Sequence, residues 1–251
     1  MANQPSGRLV ILSGPSCVEK SPLAKALARF YPELQKRLQP LVLYNSRAPR
    51  IGEVDGVDYH FRSREEVESL KAKNHFVVLD VRGDLQALDI QELSASLGKG
   101  DVFFEGNPFV GRVLQTSSAL SGVNRLSVFM SSLSRDEILF LKAKPSVSLP
   151  DIIADVMRRK LLRRARRQKG EELSLKDLEE VERRASSAYR ELKEAQHFQY
   201  VIPNHDGEDS DNWDAFYYTL GDVRLALLAF VSFLEGKAPS RAEQWEENLV
   251  S

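Results

Sequence analysis

Gly14-Pro15-Ser16-Cys17-Val18-Glu19-Lys20-Ser21 matches the phosphate-binding pattern G-x-x-x-x-G-K-[ST] except that Glu19 stands at the second glycine. In such a loop, backbone N–H groups and the N-terminus of the following helix converge on an anion. Lys20 is then placed to contact the β and γ phosphates of a nucleotide, and Ser21 to hold Mg²⁺ through its hydroxyl. The missing glycine ordinarily permits close backbone approach or positive φ, so Glu19 must avoid that conformation or bear a cost of about 1–2 kcal/mol. Its carboxylate would also repel a triphosphate unless it turns toward solvent or toward basic side chains. The residues alone leave two outcomes open, a working ATP site or a phosphate loop kept as fold and weakened as a site. Cys17 reads either as a small loop residue or as a thiolate activated by Lys20 and the helix N-terminus.

The elements around this loop suit it. Arg8 to Ser13 (RLVILS) is a short apolar run of the kind a buried parallel strand needs, and Lys20 to Phe30 sets Leu23, Ala24, Leu27 and Phe30 on one helical face. Further strands are expected at Pro40 to Tyr44, Phe76 to Val81, Asp101 to Glu105, Leu126 to Met130 and Gln199 to Pro203. Helices are expected at Glu65 to Lys73, Gln86 to Leu97, Asp151 to Arg167, Leu175 to Phe198 and within Ala215 to Leu234. Strands alternating with helices predict an α/β fold with a parallel or mixed sheet. The basic run Met157 to Lys169 is either a solvated helix face neutralised by the acids that follow it or a mobile arm that closes over phosphates.

Composition narrows the function classes. With 35 Lys+Arg against 36 Asp+Glu the chain has no global pull toward nucleic acid, and the basic run carries no interleaved aromatics. The one cysteine excludes an internal disulfide framework, and His60, His75, His197 and His205 lack metal-ligand spacing. No apolar run reaches the roughly 20 residues that span a bilayer, so the expectation is a cytoplasmic protein without membrane attachment.

Arg47-Ala-Pro-Arg50-Ile-Gly-Glu-Val-Asp-Gly-Val-Asp-Tyr59-His-Phe61 resembles the guanylate kinase signature T-T-R-P-P-R-x-G-E-x-x-G-x-D-Y-x-F. The phosphate loop before it and Arg184-Ala-Ser-Ser-Ala188-Tyr-Arg-Glu191-Leu after it, similar to that family's R-L-x-x-A-x-x-E-L, keep the family's order and spacing. The resemblance implies a P-loop three-layer α/β core with a parallel sheet, a small acceptor-binding subdomain and a helical lid. On that pattern the core covers about 7–42, 101–150 and 199–235, the acceptor subdomain about 43–100, the lid about 151–198 and a C-terminal tail about 236–251.

The resemblance also implies roles. Arg47, Arg50 and Tyr59 would bind the acceptor's phosphate, and two guanidinium forks with a phenolic donor do suit a dianionic phosphate better than lysines would. Arg164, Arg167 and Arg184 would surround the transferring phosphoryl group together with Lys20, stabilising charge as it spreads over the equatorial oxygens. Residues 14 to 21 and Asn204, near the adenine, would bind ATP. Asn204 taken alone also reads as a helix or turn cap, and Glu105, implied beside Mg²⁺ with Ser21, also reads as a strand-end charge.

Base recognition departs from the family. Its serine, glutamate and aspartate fall near Leu43, Val78 and Asn107, so guanine's N1–H and N2–H₂ donors would lack their carboxylate partner. Asp80, Arg82 and Asp84 alternate nearby and read either as contacts to another ligand or as a charged strand edge. The segments 134–150 and 204–214 look like insertions available to a protein partner. The expected function is ATP-dependent and Mg²⁺-dependent phosphoryl transfer to a nucleoside monophosphate or similar phosphorylated acceptor. The alternative is a catalytically impaired module that binds a phosphorylated ligand or protein partner.

Overall fold

The computed structural model of the chain describes residues 7–50, 52–170, 172–207, 210–239 and 241–250. In chain order the elements begin with β1 (Leu9–Ser13), α1 (Lys20–Phe30), the single turn α2 (Pro32–Gln35), β2 (Leu38–Pro40), β3 (Leu43–Asn45) and β4 (Tyr59–Phe61). They continue with α3 (Arg64–Ser69), β5 (Phe76–Val81), β6 (Asp84–Asp89), α4 (Ile90–Leu97), β7 (Asp101–Gly106) and α5 (Pro108–Thr116). The last are β8 (Arg125–Ser131), α6 (Arg135–Lys142), α7 (Leu149–Lys169), α8 (Leu175–Lys193), β9 (Tyr200–Pro203) and α9 (Gly221–Leu234).

Two sheets organise the molecule. One has the order β2-β7-β1-β8-β9, with β2 parallel to β7 and β8 parallel to β9; the other has the order β4-β3-β6-β5. All five residues of β1 are buried, and α1 buries Leu23, Ala26 and Leu27 along one face. Pro22 sits in the first turn of α1, where its missing N–H breaks no helical bond. The four-stranded sheet packs on α3 through Val67, Leu85 and Ala87, with Tyr44, Leu70, Phe76 and Val78 against them.

Contacts divide the chain into two compact units. One is Met1–Ile11, Arg37–Phe104 and Phe109–Leu126; the other is Leu12–Lys36, Glu105–Pro108 and Ser127–Ser251. Among the described residues no helix is long and apolar enough to cross a membrane.

Several expected elements shift. The strand expected over Pro40 to Tyr44 is two strands in different sheets, because β2 pairs with β7 while β3 pairs with β4 and β6. The helix expected over Gln86 to Leu97 begins at Ile90, since Asp84 to Asp89 forms a hairpin with β5 in which Val81 faces Asp84 and Phe76 faces Asp89. Its turn is Arg82-Gly83, with φ of 59° and 89°, and positive φ at both central positions matches the twist of a two-residue hairpin. Asp89 then caps α4, accepting from the backbone N–H groups of Gln91 and Glu92 at 2.9 and 3.0 Å. Helices α5 and α6 come from segments where no helix was expected.

Candidate phosphate-binding sites

The phosphate loop, α7, α8 and the segment after β9 belong to one unit. Gly14 has φ 147°, and a Cβ there would meet the Met130 carbonyl oxygen at 2.4 Å, so only glycine fits. Glu19 lies in the left-handed region at φ 68° and ψ 33° and starts α1. The backbone thus keeps the conformation a glycine would take, at a cost of about 1–2 kcal/mol for a residue with a side chain.

Lys20 Nζ donates to the carbonyl oxygens of Gly14 and Pro15 at 2.9 and 2.7 Å, which bends it back over the loop. Ser21 Oγ donates to Glu105 Oε1 at 2.5 Å. A hydroxyl and a carboxylate side by side supply hard oxygen ligands of the kind Mg²⁺ takes, so this pair fits the ion.

The Glu19 side chain turns inward. It is 0% exposed, its Oε2 accepts from Asn204 Nδ2 at 3.3 Å, and Lys160 Nζ of α7 lies 3.9 Å away. Lys160 also donates to the Asp206 carbonyl oxygen at 3.2 Å. One turn further along α7, Arg164 Nη1 lies 4.0 Å from Cys17 Sγ. Cys17 itself is buried. Lys160 was not among the residues expected at this site; the only sequence signal for it was its place in the basic run.

The other expected cations differ in setting. Arg184 is buried and donates through Nε to Glu180 Oε1 at 2.7 Å. Burial alone would raise the Glu180 carboxyl, but Arg184 and Arg183 hold it down at about 2. Arg167 is exposed near the end of α7. Part of the basic run is neutralised within the chain: Arg158 pairs with Glu182 at 2.8 Å, Arg159 with Asp155 and Lys169 with Asp177. Asn107 Nδ2 donates to the buried Glu191 at 3.2 Å, and Ser187 Oγ donates to the same carboxylate at 2.6 Å.

The second cluster lies in the other unit. Arg47 makes a two-pronged pair with Glu53, both contacts at 2.6 Å, and its guanidinium stands over the rings of Tyr59 and Phe61 at 5.2 and 5.4 Å. The Arg50 backbone N–H donates to Glu53 Oε2 at 2.7 Å, and Arg50 Nη1 is 4.0 Å from Oε1. The structure therefore brings Arg47, Arg50 and Tyr59 together, with both guanidiniums directed at one carboxylate. Burial works against the charge of each partner, yet the pair raises the Arg47 pKa and lowers that of Glu53.

Around this cluster two expectations fail. Val78 packs on the α3 side with Val67 and Ala87, so it is not on the strand face that carries Tyr59, Asn45 and Gln86. Arg82 is a turn residue, so Asp80, Arg82 and Asp84 do not alternate along one strand; Asp80 Oδ1 instead accepts from Gly83 N at 2.7 Å.

The segments read as insertions are built into the fold. Helix α6 starts with a capping box between Ser134 and Glu137, and Arg135 pairs with Glu246 at 2.6 Å. Asp206 accepts from Ser210 Oγ and Asn212 Nδ2 at 2.9 Å each. Glu208 and Asp209 lie outside the described residues.

A family model described as guanylate kinase matches residues 6–83. A guanylate kinase of Nocardia farcinica is 33% identical over 157 residues, covering 59% of this chain and 75% of that protein. A guanylate kinase of Trichormus variabilis is 41% identical over 75 residues, covering 30% of this chain and 36% of that protein. The chain thus spans well under half of that second relative. The crystal structure of guanylate kinase from Anaplasma phagocytophilum superposes with a TM-score of 0.50 at 18% identity, covering 92% of this chain and 86% of that one, which is a likeness of fold.

Proposed function

The chain belongs to the guanylate kinase family, and from that premise we propose that it moves the γ-phosphoryl group of ATP to a phosphate-bearing acceptor of the nucleoside monophosphate class. The observation that carries this reading is the Ser21 to Glu105 contact at 2.5 Å beside the bent-back Lys20. A loop that had lost its use would have no need to keep a metal-ligand pair and a phosphate lysine together.

In this reading Lys20 leaves the Gly14 and Pro15 carbonyl oxygens and takes up the β and γ phosphates. Ser21 and Glu105 would hold Mg²⁺, which when bound would supply positive charge against the phosphates. Arg164 reaches the loop from α7 and Arg184 is fixed on α8 by Glu180; with Arg167 they would stabilise charge on the equatorial oxygens. Arg47 and Arg50 exchange Glu53 for the acceptor's phosphate, and Tyr59 adds a hydroxyl donor. No general base is required, because the attacking atom is already a phosphate oxygen. Positioning and electrostatic stabilisation then supply nearly all of the rate.

Guanine is not the base this chain is suited to read. Leu43, which the resemblance places where the family has a serine, is buried and apolar, and Asn107, matched to the family's aspartate, is an amide that donates to Glu191. A nucleobase other than guanine is the better acceptor class.

A second reading, a module that binds a phosphorylated ligand without turnover, is favoured by one observation: the buried Glu19 carboxylate already holds Asn204. The two separate by steady-state kinetics. ADP formation from ATP-Mg²⁺ is measured against a panel of nucleoside monophosphates for the native chain, Lys20→Ala and Arg47→Ala. Acceptor-dependent ADP in the native chain, abolished by Lys20→Ala and weakened through KM by Arg47→Ala, is expected. Acceptor binding without ADP formation from any member of the panel would favour the module.

A further inference from the structure

Resting on the transfer reading above, we propose that Glu19 is a built-in anion that closes the donor site: it occupies Lys160 and Asn204 until ATP displaces it. Three observations within one unit of the molecule converge on this. The Glu19 backbone holds a conformation at φ 68° that suits glycine, and its side chain is 0% exposed, so the surroundings hold a charged residue in an unfavourable geometry. Its carboxylate meets groups from two other elements, Asn204 Nδ2 after β9 at 3.3 Å and Lys160 Nζ on α7 at 3.9 Å. Two turns of α7 come down on the loop, through Lys160 onto Glu19 and through Arg164 onto Cys17.

Asn204 adds an independent sign that a ligand completes the site. The residue is 0% exposed, its amide nitrogen serves Glu19, and its Oδ1 is buried with no hydrogen-bond partner among the described residues. A buried acceptor left unmatched is unfavourable, and a ligand amino group would satisfy it. A nucleotide base offers such a group.

The chemistry is an exchange of anions. A buried carboxylate needs a cation and hydrogen-bond donors, and Lys160 with Asn204 supplies both. An incoming triphosphate meets like charge from Glu19 and finds this lysine already engaged. Binding therefore requires Glu19 to surrender Lys160, after which the lysine is available to the phosphates. Lys160 is thereby a positioning residue: its side chain is 11% exposed and ties α7, the phosphate loop and the segment after β9 to one another.

Calorimetric titration of ATP-Mg²⁺ into the full chain tests this in the native protein, Glu19→Gly, Glu19→Gln and Glu19→Gly carrying Lys160→Met. Glu19→Gly removes the anion and suits the backbone, and the expected effect is at least tenfold tighter binding. Glu19→Gln keeps the shape and removes the charge, and an intermediate gain is expected. Lys160→Met in the Glu19→Gly background is expected to lose affinity, because the lysine then serves the phosphates. Thermal midpoints check that each variant is folded. Equal affinity in the native chain and both Glu19 variants overturns the proposal while leaving the transfer reading intact. Tighter binding in Glu19→Gly with no phosphorylation of any monophosphate supports the closed site and overturns the transfer reading. No ATP binding in any of these chains overturns both.

Discussion

Carboxylates sit at both clusters where phosphates are expected. Glu53 faces Arg47 and Arg50, and Glu19 faces Lys160 and Asn204. An arginine held this way is pre-oriented, and a phosphate that replaces the carboxylate inherits the two-pronged geometry. Arg47→Lys keeps the charge and loses the fork and the stacking over Tyr59 and Phe61. Its acceptor Kd is expected to weaken about tenfold or more, by the 1.5–3 kcal/mol typical of a hydrogen bond to a charged group, in a direct titration of the preferred monophosphate. An unchanged Kd would remove Arg47 from the acceptor site. Gly14→Ala places a Cβ against the Met130 carbonyl oxygen at a φ of 147°. It is expected to lower stability by more than about 1 kcal/mol in chemical denaturation. The loop, Lys20 and Ser21 were legible from spacing alone. Lys160 was not, because its partner Glu19 is distant in sequence and nothing local sets it apart from the seven other basic residues in the same run.

At the scale of elements, α1, β5 and β7 stand close to where their apolar patterns place them; α1 buries Leu23, Ala26 and Leu27 and β7 buries Val102 to Phe104, while β5 is only partly buried. The miss at Gln86 to Asp89 has a definite cause: Arg82-Gly83 closes a hairpin, and strand pairing with β5 overrides a pattern that also fits a helix. The helix proper starts at the Asp89 cap. Asp89→Ala is expected to cost about 1 kcal/mol by loss of that cap, measured by urea denaturation, with no change in acceptor binding. The division of residues 38 to 45 between two sheets was not legible, because pairing partners lie far along the chain.

One further element junction carries a pH dependence. His205 lies between Glu137 of α6 and Asp222 of α9, with Nε2 2.9 Å from Glu137 Oε2 and Nδ1 2.5 Å from Asp222 Oδ2, and Arg241 also pairs with Asp222 at 2.7 Å. Burial alone would lower the imidazole pKa, but the two carboxylates raise it above its ordinary value, while both carboxyls are lowered. A raised histidine stabilises the fold fully below its unfolded pKa, about 6.5, and the contribution disappears as pH rises through the higher folded value. The lowered carboxyls contribute above their unfolded pKa values and lose that contribution as pH falls through the folded ones. The thermal midpoint of the native chain is therefore expected to fall between pH 6 and pH 8.5 by more than that of His205→Gln. Parallel curves for the two proteins would contradict this assignment.

Across the whole molecule, family membership was legible because the Arg47 to Phe61 segment is dense in residues whose types are tied to phosphate binding. The acceptor was not, since the residues matched to base reading are apolar or amide and name no base. The account rests on a donor loop and an acceptor clamp acting in one reaction. Its most direct measurement is a single-turnover transfer with terminally labelled ATP, Mg²⁺ and each nucleoside monophosphate in turn, using excess native chain. Label appearing in a nucleoside diphosphate derived from the acceptor, with a non-guanine base favoured over GMP and no transfer by Lys20→Ala, is the predicted result. Label that stays in ATP for every acceptor, in both the native chain and Glu19→Gly, would contradict the account.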